Sequence, residues 1–153
     1  VQVRGTEVAL TAPPASLKLG NWVPQGLSFY SGNVAYRTTI RPNLRRGQRL
    51  FARVPSYRGV AVRVLVDGRP AGVAAWEPNE VEITDLVREA RTAQLTFEVL
   101  GHRRNSHGPL HLADPRPRAI NPGSFVTAGK QWMDGYQLIP CGLTKPPELI
   151  VRR

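Results

Sequence analysis

Between Val60 and Val66 the chain alternates without a break: Val60, Val62, Val64 and Val66 fall on one side, Ala61, Arg63 and Leu65 on the other, and Asp67-Gly68 follows at once. Successive side chains of a β-strand point to opposite faces, so this pattern describes a strand with one face buried. Asp-Gly between two apolar runs favours a tight two-residue hairpin, because glycine adopts positive φ freely and aspartate tolerates it. The chain is therefore expected to turn back through Ala71-Gly72-Val73-Ala74-Ala75-Trp76.

The same reading extends in both directions. Asn33 to Arg41 and Arg49 to Val54 supply two earlier strands, Val81 and Ile83 alternate with Glu80, Glu82 and Thr84, and Ala93 to Leu100 turns Leu95, Phe97 and Val99 inward. Thr84 or Asp85 is expected to cap a single helical turn over Asp85 to Ala90. Pro115, Pro117 and Pro122 remove backbone donors and fix φ, which marks Asp114 to Gly123 as an irregular surface connection. Ser124 to Val126 and Gly135 to Leu138 read as short strands, and Glu148 to Val151 as a strand closing the sheet beside Glu7 to Leu10. Helical periodicity is almost absent, and many short strands divided by turn signals predict an all-β antiparallel sandwich of jelly-roll type. A chain of 153 residues fits one such domain over residues 1–153.

Composition narrows the partners. The net charge is +10, which raises acidic polysaccharide or nucleic acid as ligands of a basic surface. All but three of the 21 basic residues are arginine, however, and they are spread along the chain without a dense run or an interleaved aromatic stripe. No nucleic-acid-binding motif accompanies them, so nucleic acid is disfavoured as a partner. No apolar run is long enough for a membrane span, and Val1 to Gly5 lacks the layout of a signal peptide. A start at Val1 is expected of a processed form or a domain excised from a larger protein. Cys141, the single cysteine, stands in the apolar stretch Ile139 to Leu143 and is expected to pack as a small hydrophobe.

Three stretches carry a resemblance. Gln25 to Tyr36 has an aromatic-Ser-Gly turn leading into a strand. Val62 to Asp85 runs strand, Asp-Gly, Ala-Gly-Val, Trp-x-Pro, strand, Thr-Asp-Leu. Glu98 to His111 leaves a strand through Arg104-Asn105-Ser106-His107-Gly108-Pro109, and Trp132 to Pro140 follows as a closing segment. In this order they resemble the galactose-binding-like jelly-roll domains that accompany the catalytic barrels of family 2 glycoside hydrolases and bacterial α-L-rhamnosidase-like glycosidases. The resemblance implies an accessory domain of a bacterial, secreted or cell-surface glycosidase, not itself an enzyme and without a cofactor. It also implies either carbohydrate or the catalytic domain of the same polypeptide as its partner.

Function has to be argued from side chains, since one fold hosts many functions. A sugar site needs an aromatic platform for the C–H face of the ring and planar groups for vicinal hydroxyls. Trp22, Tyr30 and Trp76 are the platform candidates, with Tyr57 and Trp132 behind them. Asn79, Arg103, Arg104, Asn105 and His107 are the polar candidates, because loops at the end of a rigid sandwich are where binding groups are displayed. Arg104 has Asp114 or Asp134 as an expected carboxylate partner. His102, His107 and His111 match no common ligand spacing, and no pair of carboxylates stands out for glycoside hydrolysis, so neither a metal nor a catalytic residue is assigned.

Overall fold

The computed structural model describes residues 1–153 and runs β1 (Gln2–Arg4), β2 (Glu7–Ala9), β3 (Val34–Ile40), β4 (Arg49–Arg53), β5 (Tyr57–Arg58), β6 (Ala61–Val66), β7 (Arg69–Ala74), β8 (Glu80–Glu82), α1 (Thr84–Val87), β9 (Ala93–Leu100), α2 (Arg104–His107), β10 (Gly142–Leu143) and β11 (Glu148–Arg152). The chain is an all-β antiparallel sandwich. One sheet has the order β3-β9-β6-β7 and the other β11-β4-β8. Each sheet buries one face against the other: Val62, Val64, Val66, Leu95, Phe97 and Val99 from the first meet Leu50, Ala52, Val81 and Ile83 from the second within a single buried cluster of 18 residues. No helix is long and apolar enough to cross a membrane.

The hairpin stands at the expected place. Asp67 and Gly68 have φ of 47° and 77°, the pair of positive angles that a tight hairpin turn requires. Asp67 adds a second stitch, its side-chain oxygen accepting from the Gln94 amide at 2.8 Å while its own amide donates to the Gln94 carbonyl at 2.9 Å. The turn is thereby fastened to β9. Val60 departs from the expected pattern, because it lies beyond both ladders of β6 and remains 62% exposed.

Four other expectations are corrected. Thr84 is the first residue of α1, and neither it nor Asp85 caps the turn; the Thr84 hydroxyl instead accepts from the Leu50 amide at 2.9 Å, tying α1 to β4. Ser124 ends a 3-10 turn, Pro122–Ser124, that is closed by reciprocal bonds with Asn121, so Ser124 to Val126 is no strand. Gly135 to Leu138 is not a strand either: Gln137 uses its side-chain amide to satisfy the Leu112 and Asp114 carbonyls, and no sheet edge lies beside it. β11 forms as expected but pairs with β4, while β2, the neighbour expected for it, pairs with β1.

The outer face of β4, β8 and β11 is a lattice of charges. Arg49 pairs with Glu82, Arg152 with Glu80 and Arg53 with Glu148, and Arg49 and Arg152 also stand over the Phe51 ring. The Arg49 guanidinium, and after it the Thr84 hydroxyl, hold the Glu82 carboxyl down from 4.5 to about 2. Since the folded value lies below the unfolded one, this stabilisation is complete above the unfolded value of 4.5 and disappears as pH falls towards about 2. Glu82→Gln is accordingly expected to flatten the acid side of a plot of urea midpoint against pH. An acid limb as steep as that of the wild type would refute this role.

Cys141 is 2% exposed and burial pushes its thiol up. Both effects suppress the thiolate that reacts with alkylating agents. Iodoacetamide is expected to label it only at the rate of unfolding, and rapid labelling of the native protein would show that the thiol is accessible.

Candidate functional site

Strand direction decides which loops gather. β6 and β9 run antiparallel, with Ala61 beside Leu100, and β8 enters the second sheet with Glu80 beside Arg53. The connections β4 to β5, β7 to β8, β9 to α2 and β10 to β11 therefore share one end of the sandwich, opposite the Asp67-Gly68 turn. This end holds most of the sequence candidates.

Trp76 is 81% exposed in the β7 to β8 connection. Its backbone is firmly held. The Asn79 amide donates to the Trp76 carbonyl at 2.9 Å, the Asn79 carbonyl accepts from Val54 at 2.9 Å, and the Asn79 side chain donates to Glu77 Oε1 at 2.8 Å. Asn79 takes φ of 57°, a left-handed conformation that asparagine tolerates better than most residues. At 9% exposure Asn79 braces the loop from within and presents nothing to a ligand, which corrects its assignment to the site. Tyr57 stands close enough to Glu77 for that carboxylate, after burial, to raise its hydroxyl.

Trp22 is corrected outright. It is fully buried, with Tyr30 edge-on to it at 6.3 Å between ring centres, and so offers no face to a sugar. Tyr30 is itself 40% exposed, and its hydroxyl donates to the Asn33 carbonyl at 3.0 Å.

The Arg104 and Asn105 loop is a staple. Asn105 is 1% exposed, and its amide group donates to the Ile139 carbonyl and accepts from the Ile139 amide, each at 2.8 Å. Arg104 donates to the Pro109 carbonyl at 2.9 Å and to Gln137 Oε1, and burial lowers its pKa. Neither expected carboxylate reaches it: Asp114 takes the Arg116 amide and Asp134 the Trp132 indole N–H. These bonds hold α2 against residues 137–139, the far end of the long arm between β9 and β10. Arg103, just before α2, and His107, at its end, remain exposed, with His107 Nδ1 at 2.7 Å from Ser106 Oγ.

The candidates thus divide into two groups at one end. Trp76 follows β7, and Arg103 with His107 follows β9, with β6 between them, so the two strands are about 10 Å apart. The three histidines are not assembled. His102 lies by the Pro140 carbonyl and His111 stacks on Trp132 at 4.4 Å. Gln137 and Tyr136, whose ring stands edge-on to Phe29 at 5.5 Å and against His111 at 4.7 Å, were missed as organisers of the arm. Their signal was the alternation in Gly135 to Leu138, which reflects Gln137 turning inward and not membership of a sheet.

No protein-family model and no curated protein matches the chain. Among solved structures it is similar to the rhamnosidase from Novosphingobium sp. PP1Y, with a TM-score of 0.58 and 25% identity over 83% of this chain and 12% of that one. It is also similar to the FMN-binding β-glucuronidase from Facaelibacterium prausnitzii L2-6, with a TM-score of 0.49 and 18% identity over 97% of this chain and 20% of that one. The chain spans only those small fractions of either protein. The first likeness relates the sandwich to a domain of a glycoside hydrolase.

Proposed function

We propose that this sandwich is a non-catalytic accessory domain of a larger, secreted or cell-surface, glycoside-hydrolase-like polypeptide, and that it contacts carbohydrate through Trp76. The observation that carries the reading is an indole left 81% exposed on a loop that three hydrogen bonds fix in place. Such a ring gives a flat apolar platform at little ordering cost, because its backbone is already set. The carboxylates support a non-catalytic role: Glu80, Glu82, Glu98 and Glu148 each face an arginine on an outer sheet surface. A glycosidase needs a carboxylate pair across a cleft.

The test is a glycan array at moderate salt with the wild type and Trp76→Ala. Binding of a neutral glycan that falls at least about tenfold in the variant is the expected outcome, in line with the loss of one central aromatic anchor. Silence of both proteins would shift the function to docking on a catalytic domain. A second reading, acidic polysaccharide, is favoured by a notch of about 280 Å³ lined by Arg45, Arg46 and Arg153 and by no acidic side chain. It requires that retention on heparin collapse steeply with salt, as counterion release dictates.

A further inference from the structure

The sandwich has four sheet edges, and three of them are blunted. β7 carries Pro70 and an irregular register at Val64/Leu65, and it packs against β8, where a Cβ added to Gly72 would lie 2.8 Å from Val81. β8 is only 3 residues long. β11 follows Pro146-Pro147 and has Glu148 and Arg152 at its ends. Proline, short length and charge are the devices that stop edge strands from pairing further.

β3 has none of the first two and a single charge, Arg37. It is 7 residues long, and no backbone group between Val34 and Ile40 bonds to anything except β9. One full side of its ladder is open. The inner face beside this edge is covered only in part: Leu95, Phe97 and Leu143 are buried, while Tyr36 and Ile40 are half-buried and Leu149 is exposed. A groove of about 420 Å³ runs between the two sheets there, with Tyr36, Ile40, Leu95, Phe97, Leu143 and Leu149 among its walls. Leu149 and Val151 of β11 lie across from the buried Ala52 and Leu50 and so share their inward side, yet they are 44% and 50% exposed. The sandwich is closed at β7 and β8 and open at β3 and β11.

We infer that the β3 edge and this groove form a docking site for an extended, acidic segment of another polypeptide, in which apolar and acidic residues alternate. An open ladder selects an extended backbone, since only that conformation presents donors and acceptors at matching intervals. The groove on one face of the added strand selects an apolar side chain at every second position. Charge selects the rest: Arg37, which shares with Thr39 the face of β3 opposite the groove, has no ion-pair partner, Glu148 beside the groove is already paired with Arg53, and the chain carries +10 overall. A second copy is disfavoured on the same grounds, because two such chains repel each other and antiparallel β3 strands centred on Arg37 would set like charges opposite each other.

The experiment is amide hydrogen exchange on the whole chain with two synthetic peptides spanning β3, one alternating Val with Glu and one alternating Val with Lys. The Val-Glu peptide should slow exchange in residues 34–40, and the Val-Lys peptide should bind about tenfold more weakly. Thr38 is exposed on the groove side and Thr39 on the opposite face, so both accept a large residue without disturbing the core. Thr38→Trp, which fills the groove, should abolish protection, while Thr39→Trp should retain it, with circular dichroism unchanged in both. Protection outside residues 34–40, equal binding of the two peptides, or protection that appears with protein concentration alone would overturn the inference.

Discussion

Trp22→Ala is expected to lower the unfolding free energy by about 3–5 kcal/mol, the usual cost of deleting a large aromatic side chain from a core that cannot close over the gap. Trp22 is fully buried and in contact with the edge of Tyr30, and it belongs to the single buried cluster. Trp22→Phe should cost less, because the Trp22 indole N–H has no acceptor and its loss removes a buried donor without a partner. Trp76→Ala, by contrast, should change stability by no more than about 0.5 kcal/mol, as surface substitutions do. Urea titrations of the three variants decide the matter. Equal losses for Trp22→Ala and Trp76→Ala would contradict the division between a packing tryptophan and a displayed one.

The second large effect is expected at Asn105. Alanine there removes both bonds to Ile139 and leaves a backbone donor and acceptor to find water or remain unpaired, at a cost of about 2–4 kcal/mol. Asn105→Asp should not rescue it, because a carboxylate accepts from the Ile139 amide but faces the Ile139 carbonyl with no proton to donate. Since Asn105 joins the two ends of the arm, the loss should appear first as faster amide exchange near α2 and residues 137–141, before the main sheets open. Wild-type stability in Asn105→Ala would mean that Arg104 and Gln137 hold the arm by themselves.

What could be read in advance was what is local. The Val62 to Val66 alternation, the Asp67-Gly68 turn and the inward Leu95, Phe97 and Val99 follow from period two and from φ, so they survive any tertiary arrangement. Pairing is not local. Nothing in Glu148 to Val151 states that its neighbour is β4, because the choice depends on which edge is free once the sheets assemble. The same limit governed the site. Trp22 and Trp76 both sit in loops with proline nearby, and only the placement of Tyr30 over one and the absence of any cover over the other separates them. Arg104 showed that it needed acceptors, but these proved to be a carbonyl and an amide and not the carboxylates that charge alone suggests. The open β3 edge was invisible for a related reason: an edge is a property of strand order, and the order is written across the whole chain.

If Trp76 meets carbohydrate from its braced loop, as proposed, its own indole N–H reports the contact. The chain has 3 tryptophans, so its indole N–H groups give three separate signals in a nitrogen–proton correlation spectrum. On titration with the glycan that binds best, the signal of Trp76 should move in a saturable way while those of Trp22 and Trp132 stay in place. Saturable binding that leaves Trp76 unmoved, or that moves Trp132 instead, would contradict a sugar contact at Trp76.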